Sequence, residues 1–126
     1  MPLPVNARVQ AAQTFVRDVR AAQAFLVQQD SVNADARYRD LLALLSDARS
    51  HIRWNPAAGR PARFLQAQST QVQMMAARAV AIAKSHGLPH LRELVVKPYV
   101  VLYAHGDDRV LLLALKHERE FGFRVG

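Results

Sequence analysis

The sequence contains no cysteine, and this absence excludes two classes of small protein. Without thiols, neither a disulfide framework nor a thiolate metal site can hold the fold, so its stability must come from an apolar core. A chain without disulfides is compatible with a reducing compartment, and we expect a cytoplasmic protein.

Long apolar runs and targeting signals are also missing. No segment approaches the roughly 20 apolar residues that a membrane-spanning helix requires, and residues 1–5 contain no basic run followed by an apolar stretch. We therefore expect a soluble, unprocessed protein that makes no contact with a membrane.

Length and charge bound what remains. The chain has 126 residues, 51% of them hydrophobic, which predicts a single domain over 1–126 with one modest core. Basic side chains are in excess, with a net charge of +7 and a pI near 10.8. This charge favours an acidic or phosphate-rich partner. Residues 61–90 contain Arg63, Arg78 and Lys84 but no carboxylate, so this segment carries nearly half of the excess.

The first half of the chain predicts a strand followed by a helical hairpin. Apolar and polar residues alternate over 5–11, which is typical of a short strand with one buried face. Two stretches with apolar residues at helical spacing follow. The first ends near Asp30, and the second begins at a cap provided by Ser31 or Asn33 and stops before Pro56.

The second half predicts a loop, a further helix and a meander. Two prolines and a glycine within 55–61 predict a loop without regular pairing. A third helix is expected from about Thr70 to His86, with Ser69 or Thr70 as its cap and Gly87 at its end. Segments rich in β-branched and aliphatic residues then predict three antiparallel strands at 91–96, 99–104 and 110–115.

The expected fold is therefore α+β, with a four-stranded sheet in which the first strand joins the C-terminal meander. We expect the hairpin to pack on this sheet with one shared core, formed by Leu41, Leu45, Ile52, Val101 and Leu113. The last two strands are almost continuously apolar, which indicates that both faces of the sheet are covered. The helices would cover one face and another layer, such as a bound partner, the other.

Five motifs resemble, in order and approximate spacing, the RelE/ParE family of bacterial toxins. They are Gly59-Arg60-Pro61, Leu91-Arg92-Glu93-Leu94, Tyr99–Ala104, Asp107-Asp108-Arg109-Val110 and Leu115–Arg119. The resemblance covers about residues 5–121, but the extended basic helical segment 63–88 is longer than the family pattern and its role stays open. The resemblance implies the toxin of a type II toxin–antitoxin module of the plasmid-stabilisation type. A cognate antitoxin would neutralise it by laying an amphipathic segment on the hairpin and the open face of the sheet.

The family resemblance implies one of two mechanisms. RelE-like members cleave mRNA in the ribosome without metal, whereas ParE-like members inhibit DNA gyrase and have no nuclease activity. RNA cleavage needs a base, an acid and cations that stabilise charge on phosphorus. The catalytic candidates for that alternative are Glu93, Lys97, His117 and Glu118. Because Val100 stands where the family's nucleases carry an arginine, we favour the non-enzymatic, ParE-like mechanism.

The residues expected to contact the target are Arg60, Arg92, Tyr99, Lys116, His117 and Arg119. Each also has a structural interpretation: backbone bracing for Arg60, a solvated strand face for Arg92, packing for Tyr99, and a polar strand end at His117. A third possibility is a non-catalytic basic protein of a toxin–antitoxin repressor complex. Without a helix-turn-helix pattern, such a protein would reach DNA only through the antitoxin.

No metal or cofactor is expected. His86 and His90 have the spacing of a zinc-binding helix, but the Gly87–Pro89 segment between them breaks the helix that would align the two rings.

Overall fold

The structure, a computed structural model, describes residues 5–63 and 70–119. Its α+β class confirms the expectation from the sequence, with three helices and a five-stranded sheet in the described ranges. The elements are β1 (Arg8–Ala11), α1 (Gln13–Gln29), α2 (Ala34–Trp54), a 3₁₀ turn (Pro56–Ala58), β2 (Arg60–Pro61), α3 (Thr70–Ser85), β3 (His90–Val96), β4 (Tyr99–His105) and β5 (Arg109–His117). None of these helices is long and apolar enough to cross a membrane.

The helix ends follow the local sequence closely, with one exception. Gly87 has a φ of 69° and closes α3, and the Leu88 amide bonds the Ala83 carbonyl at 2.9 Å, as in a Schellman motif. Asn33 precedes α2, but its side chain does not cap the helix. Its amide group instead bonds Asp30 at 2.8 Å, and this hydrogen bond lowers the pKa of the Asp30 carboxyl. The predicted cap at Ser69 lies outside the described residues.

The sheet is mixed and has the strand order β1-β5-β4-β3-β2. β1 runs parallel to β5, and the other neighbours are antiparallel. The predicted four-stranded sheet was incomplete because 55–61 is not wholly a loop: Arg60 pairs with Glu93 and Pro61 with Arg92. Proline is tolerated at this position because β2 is an edge strand, where one side of the backbone needs no partner.

The α1–α2 hairpin covers one face of the sheet. Its core contains side chains from both helices and from alternate positions of β4 and β5. The expected members Leu41, Ile52 and Val101 are there, at most 2% exposed, and Leu45 packs against them at the edge. The fifth expected member, Leu113, is in a different core.

α3 covers the opposite face of the same sheet. Ala76, Ala79 and Ala83 lie along one side of the helix and are at most 7% exposed. They form a second core with residues of the central strands, namely Val100, Leu102, Ala104, Leu111, Leu113 and Ala114. The small alanine side chains let the helix approach the sheet closely. The layer on the second face of the sheet is therefore α3 and not a bound partner. The expectation that this face stays open for a partner was wrong.

A β-bulge explains how β5 serves both cores. Leu102 pairs with Ala114 but Tyr103 pairs with Leu112, which leaves Leu113 as the extra residue. Because of this insertion, Leu113 and Ala114 both belong to the α3 core, whereas Leu112 and Leu115 belong to the hairpin core. Regular alternation along the strand cannot anticipate such a break.

β1 pairs only with the first half of β5, and two side chains of α1 bond the edge of β5 beyond it, at the bulge. The pairing of β1 ends where the Ala12 amide bonds the Leu112 carbonyl. Beyond this point, the Thr14 hydroxyl donates to the Leu113 carbonyl, and the buried Asp18 carboxylate accepts from the Leu115 amide at 2.9 Å. Thr14 and Asp18 are one helical turn apart, so α1 continues the edge bonding with side chains.

The α3 cover can be tested with two substitutions in one helix. Ala79→Glu places an uncompensated carboxylate in a fully buried position and should lower the free energy of unfolding by about 3 to 5 kcal/mol. Ala77→Glu, at an exposed position of α3, should change it by less than about 0.5 kcal/mol. Urea unfolding measures both, and equal effects would contradict the packing of α3 on the sheet.

Candidate functional site

A groove of about 1070 Å³ lies between the hairpin and the ends of β4 and β5. Its helical wall is largely apolar and includes Phe25, Leu41 and Leu44. Phe25 is 55% exposed, an unusually open position for a large aromatic ring. Ligand sites typically combine such an apolar wall with a few polar groups, and this groove has both.

The polar side of the groove is formed where the chain leaves β5. Lys116, His117, Glu118 and Arg119 all line it, together with Tyr99 from the start of β4. Tyr99 and His117 are paired in the sheet, and their rings meet edge to face with centroids 5.6 Å apart. The Glu118 amide bonds the Pro98 carbonyl at 2.8 Å. These contacts set the course of the backbone through residues 117–119 along the groove.

The groove contains charges of both signs. Its cationic side chains are Arg37, Lys116 and Arg119, and its carboxylates are Asp18, Asp40 and Glu118. Asp18 is already bonded to the Leu115 amide and lies 3.6 Å from the Arg17 guanidinium. A phosphate backbone prefers a uniformly cationic surface. Mixed charges beside an apolar wall instead suit a polypeptide segment.

A second polar cluster, on β2, β3 and β4, contains the other residues expected to bind the target. Arg60 donates to the Glu93 carboxylate at 2.7 Å, and Glu93 is only 4% exposed. Arg92 donates from Nε to His105 Nε2 at 2.8 Å and from Nη1 to the Gly59 carbonyl at 3.0 Å. Arg60 therefore braces a side chain of the protein itself, and Arg92 braces both a side chain and the backbone.

The Gly-Arg-Pro motif is held by a buried tyrosine. The Tyr103 hydroxyl donates to the Pro56 carbonyl at 2.6 Å and accepts from the Gly59 amide at 2.9 Å. Burial raises the pKa of the Tyr103 phenol. A Cβ atom at Gly59 would lie 2.7 Å from the Glu93 carbonyl oxygen and 2.8 Å from the Tyr103 hydroxyl. Only glycine permits this close approach, which explains the first residue of the motif.

The structure divides the predicted site residues into two groups. Arg92 and Val96 are four positions apart, about 13 Å along the strand, and Val96 pairs with Tyr99 at the groove. Arg60, Arg92 and Glu93 therefore do not share a site with the groove residues. Lys97 is exposed in the turn between β3 and β4, near the groove end of the sheet.

Several residues of the two clusters were not anticipated from the sequence. In α1 the buried apolar position is Leu26, and Phe25 lies beside it on the exposed side of the helix. A large aromatic residue next to the buried face was the sequence feature that could have indicated the groove. Arg37 and Asp40 look like ordinary surface charges until the hairpin places them on the groove. His105 gave no signal, because its role depends on pairing across two strands.

Among the described residues, no group of three or more His, Asp or Glu side chains is placed to hold a metal ion. No family model matches the chain, and no curated protein matches it.

The tyrosine anchor predicts a measurable loss of stability. Tyr103→Phe leaves the Gly59 amide and the Pro56 carbonyl without their buried partner, which should cost about 1 to 3 kcal/mol. Tyr38→Phe removes a hydroxyl from a half-buried ring on α2 and is the matched control, with a smaller expected change. Thermal unfolding of both variants checks this, and a neutral Tyr103→Phe would show that the hydroxyl does not anchor the motif.

Proposed function

We propose that this protein is the toxin of a type II toxin–antitoxin module of the RelE/ParE type, and that it acts by binding DNA gyrase. A cognate antitoxin neutralises it in the cytoplasm. The order of strand, helical hairpin, Gly-Arg-Pro segment and C-terminal meander supports this proposal, as do the five motifs that resemble the family. α3 is the third helix expected from the sequence, and the pairing of β2 adds a fifth strand to the expected sheet.

The position of Val100 is the observation that most favours a binding mechanism over RNA cleavage. The family's nucleases carry an arginine at the matching position, where it would stabilise charge on phosphorus. Here Val100 is 4% exposed and belongs to the core under α3. Because α3 covers this position, a side chain here does not face the solvent from which an RNA strand would approach, and this supports the binding mechanism.

The remaining nuclease candidates are also poorly arranged. Glu93 is buried in its ion pair with Arg60 and pairs with Leu102 of the α3 core. His117 pairs instead with Tyr99, which packs against the hairpin core. Removing one electrostatic donor from a transition state typically costs about 2.7 to 4 kcal/mol, a hundredfold to a thousandfold in rate. A nuclease that lacks the arginine would be severely slowed.

The groove is the surface we assign to partner contacts. Its apolar wall and mixed charges suit a protein segment, and Tyr99, Lys116, His117 and Arg119 all line it. The antitoxin would cover the hairpin side of this groove in place of the closed sheet face. DNA would be reached only through the antitoxin.

One observation favours the alternative function, a metal-independent endoribonuclease on the ribosome. Lys116, His117 and Glu118 supply a cation, an imidazole and a carboxylate within three consecutive residues beside Tyr99. These are the group types that general acid–base cleavage of RNA uses.

Two assays on purified, antitoxin-free protein separate the two functions. Gyrase supercoiling should be inhibited, and mRNA on ribosomes should stay intact. Lys116→Glu and Arg119→Glu should each weaken the inhibition roughly tenfold, about 1.4 kcal/mol, because they reverse charges on the groove. Arg39→Glu, at an exposed α2 position outside the groove, is the control and should inhibit like the parent protein.

Cleaved mRNA with unaffected supercoiling would refute the gyrase mechanism and support the nuclease. A protein that is inert in both assays and in induced cells would refute the toxin proposal as a whole. A short reading frame next to the gene that encodes an acidic partner is the expected genomic context.

A further inference from the structure

His105 is the centre of a bonded chain that crosses the edge of the sheet. It lies at the end of β4, is 5% exposed, and accepts a hydrogen bond from Arg92 on β3. The same arginine holds the Gly59 carbonyl in the segment that leads from α2 into β2. The His90 ring stacks on His105 with centroids 4.8 Å apart. One imidazole thus supports the contact between three separate parts of the chain.

The bonding pattern requires one protonation state of this ring. His105 Nδ1 lies 2.8 Å from the Gly106 carbonyl oxygen, which can only accept, so Nδ1 carries the proton. Nε2 receives the Arg92 Nε–H and must therefore keep its lone pair. A neutral ring satisfies both contacts. A doubly protonated ring cannot accept from Arg92 and would place two cations 2.8 Å apart.

We propose that His105 is a proton-sensitive latch, which helps to hold the 56–61 segment against the sheet while its ring is neutral and loosens this segment on protonation. Loss of the Arg92 contact would free that guanidinium from the Gly59 carbonyl as well. The Gly59 carbonyl would then lose its donor, and the segment would keep the Tyr103 hydroxyl and the pairing of β2 with β3 as its remaining contacts. This device acts on the fold itself and does not depend on the identity of the target.

The surroundings of the ring favour its neutral form. Burial lowers the pKa of His105, the bond to the Gly106 carbonyl opposes this, and the neighbouring His90 and Arg92 lower the pKa further. Asp107, in the turn before β5, acts in the opposite direction. From its own strand, the ring also faces Tyr103, with centroids 6.0 Å apart. His90 and Arg92 on β3 therefore act together with burial against protonation of His105.

The sign of the pH dependence follows from this lowered pKa. The unfolded chain takes up its proton near the ordinary value of 6.5, whereas the folded protein does so only at lower pH. Between these two values the unfolded state binds more protons, so acidification lowers the free energy of unfolding. The stability given by the neutral ring is fully present above about pH 6.5 and is lost as the pH falls towards the folded-state pKa.

Hydrogen exchange followed by NMR tests the latch. The protection factor of the Gly59 amide, corrected for intrinsic exchange, should fall at least roughly tenfold between about pH 7.5 and about pH 5. His105→Gln offers an acceptor near Nε2 that does not titrate, and should remove this fall. His51→Gln, at an exposed position of α2, is the matched control and should retain it.

A second measurement on the unaltered protein does not depend on how the variant folds. The imidazole nitrogen spectrum should show His105 protonated on Nδ1 alone at neutral pH and titrating below the ordinary histidine range. Protonation of Nε2 at neutral pH, or a Gly59 protection factor that does not respond to pH, would overturn the latch. Retention of the fall in a folded His105→Gln variant would also overturn it, because another group would then be responsible.

Discussion

The central strands β4 and β5 are apolar on both faces, and the rest of the structure depends on this constraint. Residues 100–104 and 110–115 are at most 7% exposed. A sheet of this kind must have both faces covered, because each exposed apolar side chain would cost about 1.5 to 3 kcal/mol. The hairpin covers one face, and α3, with its row of alanines, covers the other. The part of the basic segment that the structure describes as α3 is therefore one of the two layers that cover the sheet.

Because both faces of the sheet are covered, its polar side chains lie at the edges and the strand ends. At one margin the chain leaves β5, and Lys116, His117, Glu118 and Arg119 line the groove beside the hairpin. At another margin Arg60 bonds Glu93, and Arg92 bonds both His105 and the Gly59 carbonyl. The first margin has open volume and an apolar wall, which suits contact with another protein. The second is internally bonded, which suits fastening of the Gly-Arg-Pro segment.

The helices and the strands β3 to β5 could be predicted from the sequence, because local periodicity and turn residues determine them. The closing roles of Pro56 and Gly87 likewise depend on neighbouring residues only. What failed depends on contacts distant in the chain: the pairing of β2, the bulge at Leu113 and the face that α3 covers. Proline at 61 suggested a loop, because nothing local reveals that its strand lies at an edge. Of the site, the residues of the groove's polar end were identified, but Arg60 and Arg92 could not be assigned to their internal partners.

The proposed binding mechanism depends most directly on the packing of α3 over the sheet face that contains Val100. NMR of methyl groups in the isolated protein tests this packing. The structure predicts nuclear Overhauser contacts from the methyl groups of Ala79 and Ala83 to those of the second core, such as Val100, Leu102 and Leu113. Observation of these contacts would show that no nucleic acid can reach that face. If these contacts were absent and the amides of 70–85 exchanged rapidly, α3 would not cover the sheet, and this face would be accessible to a partner or a substrate.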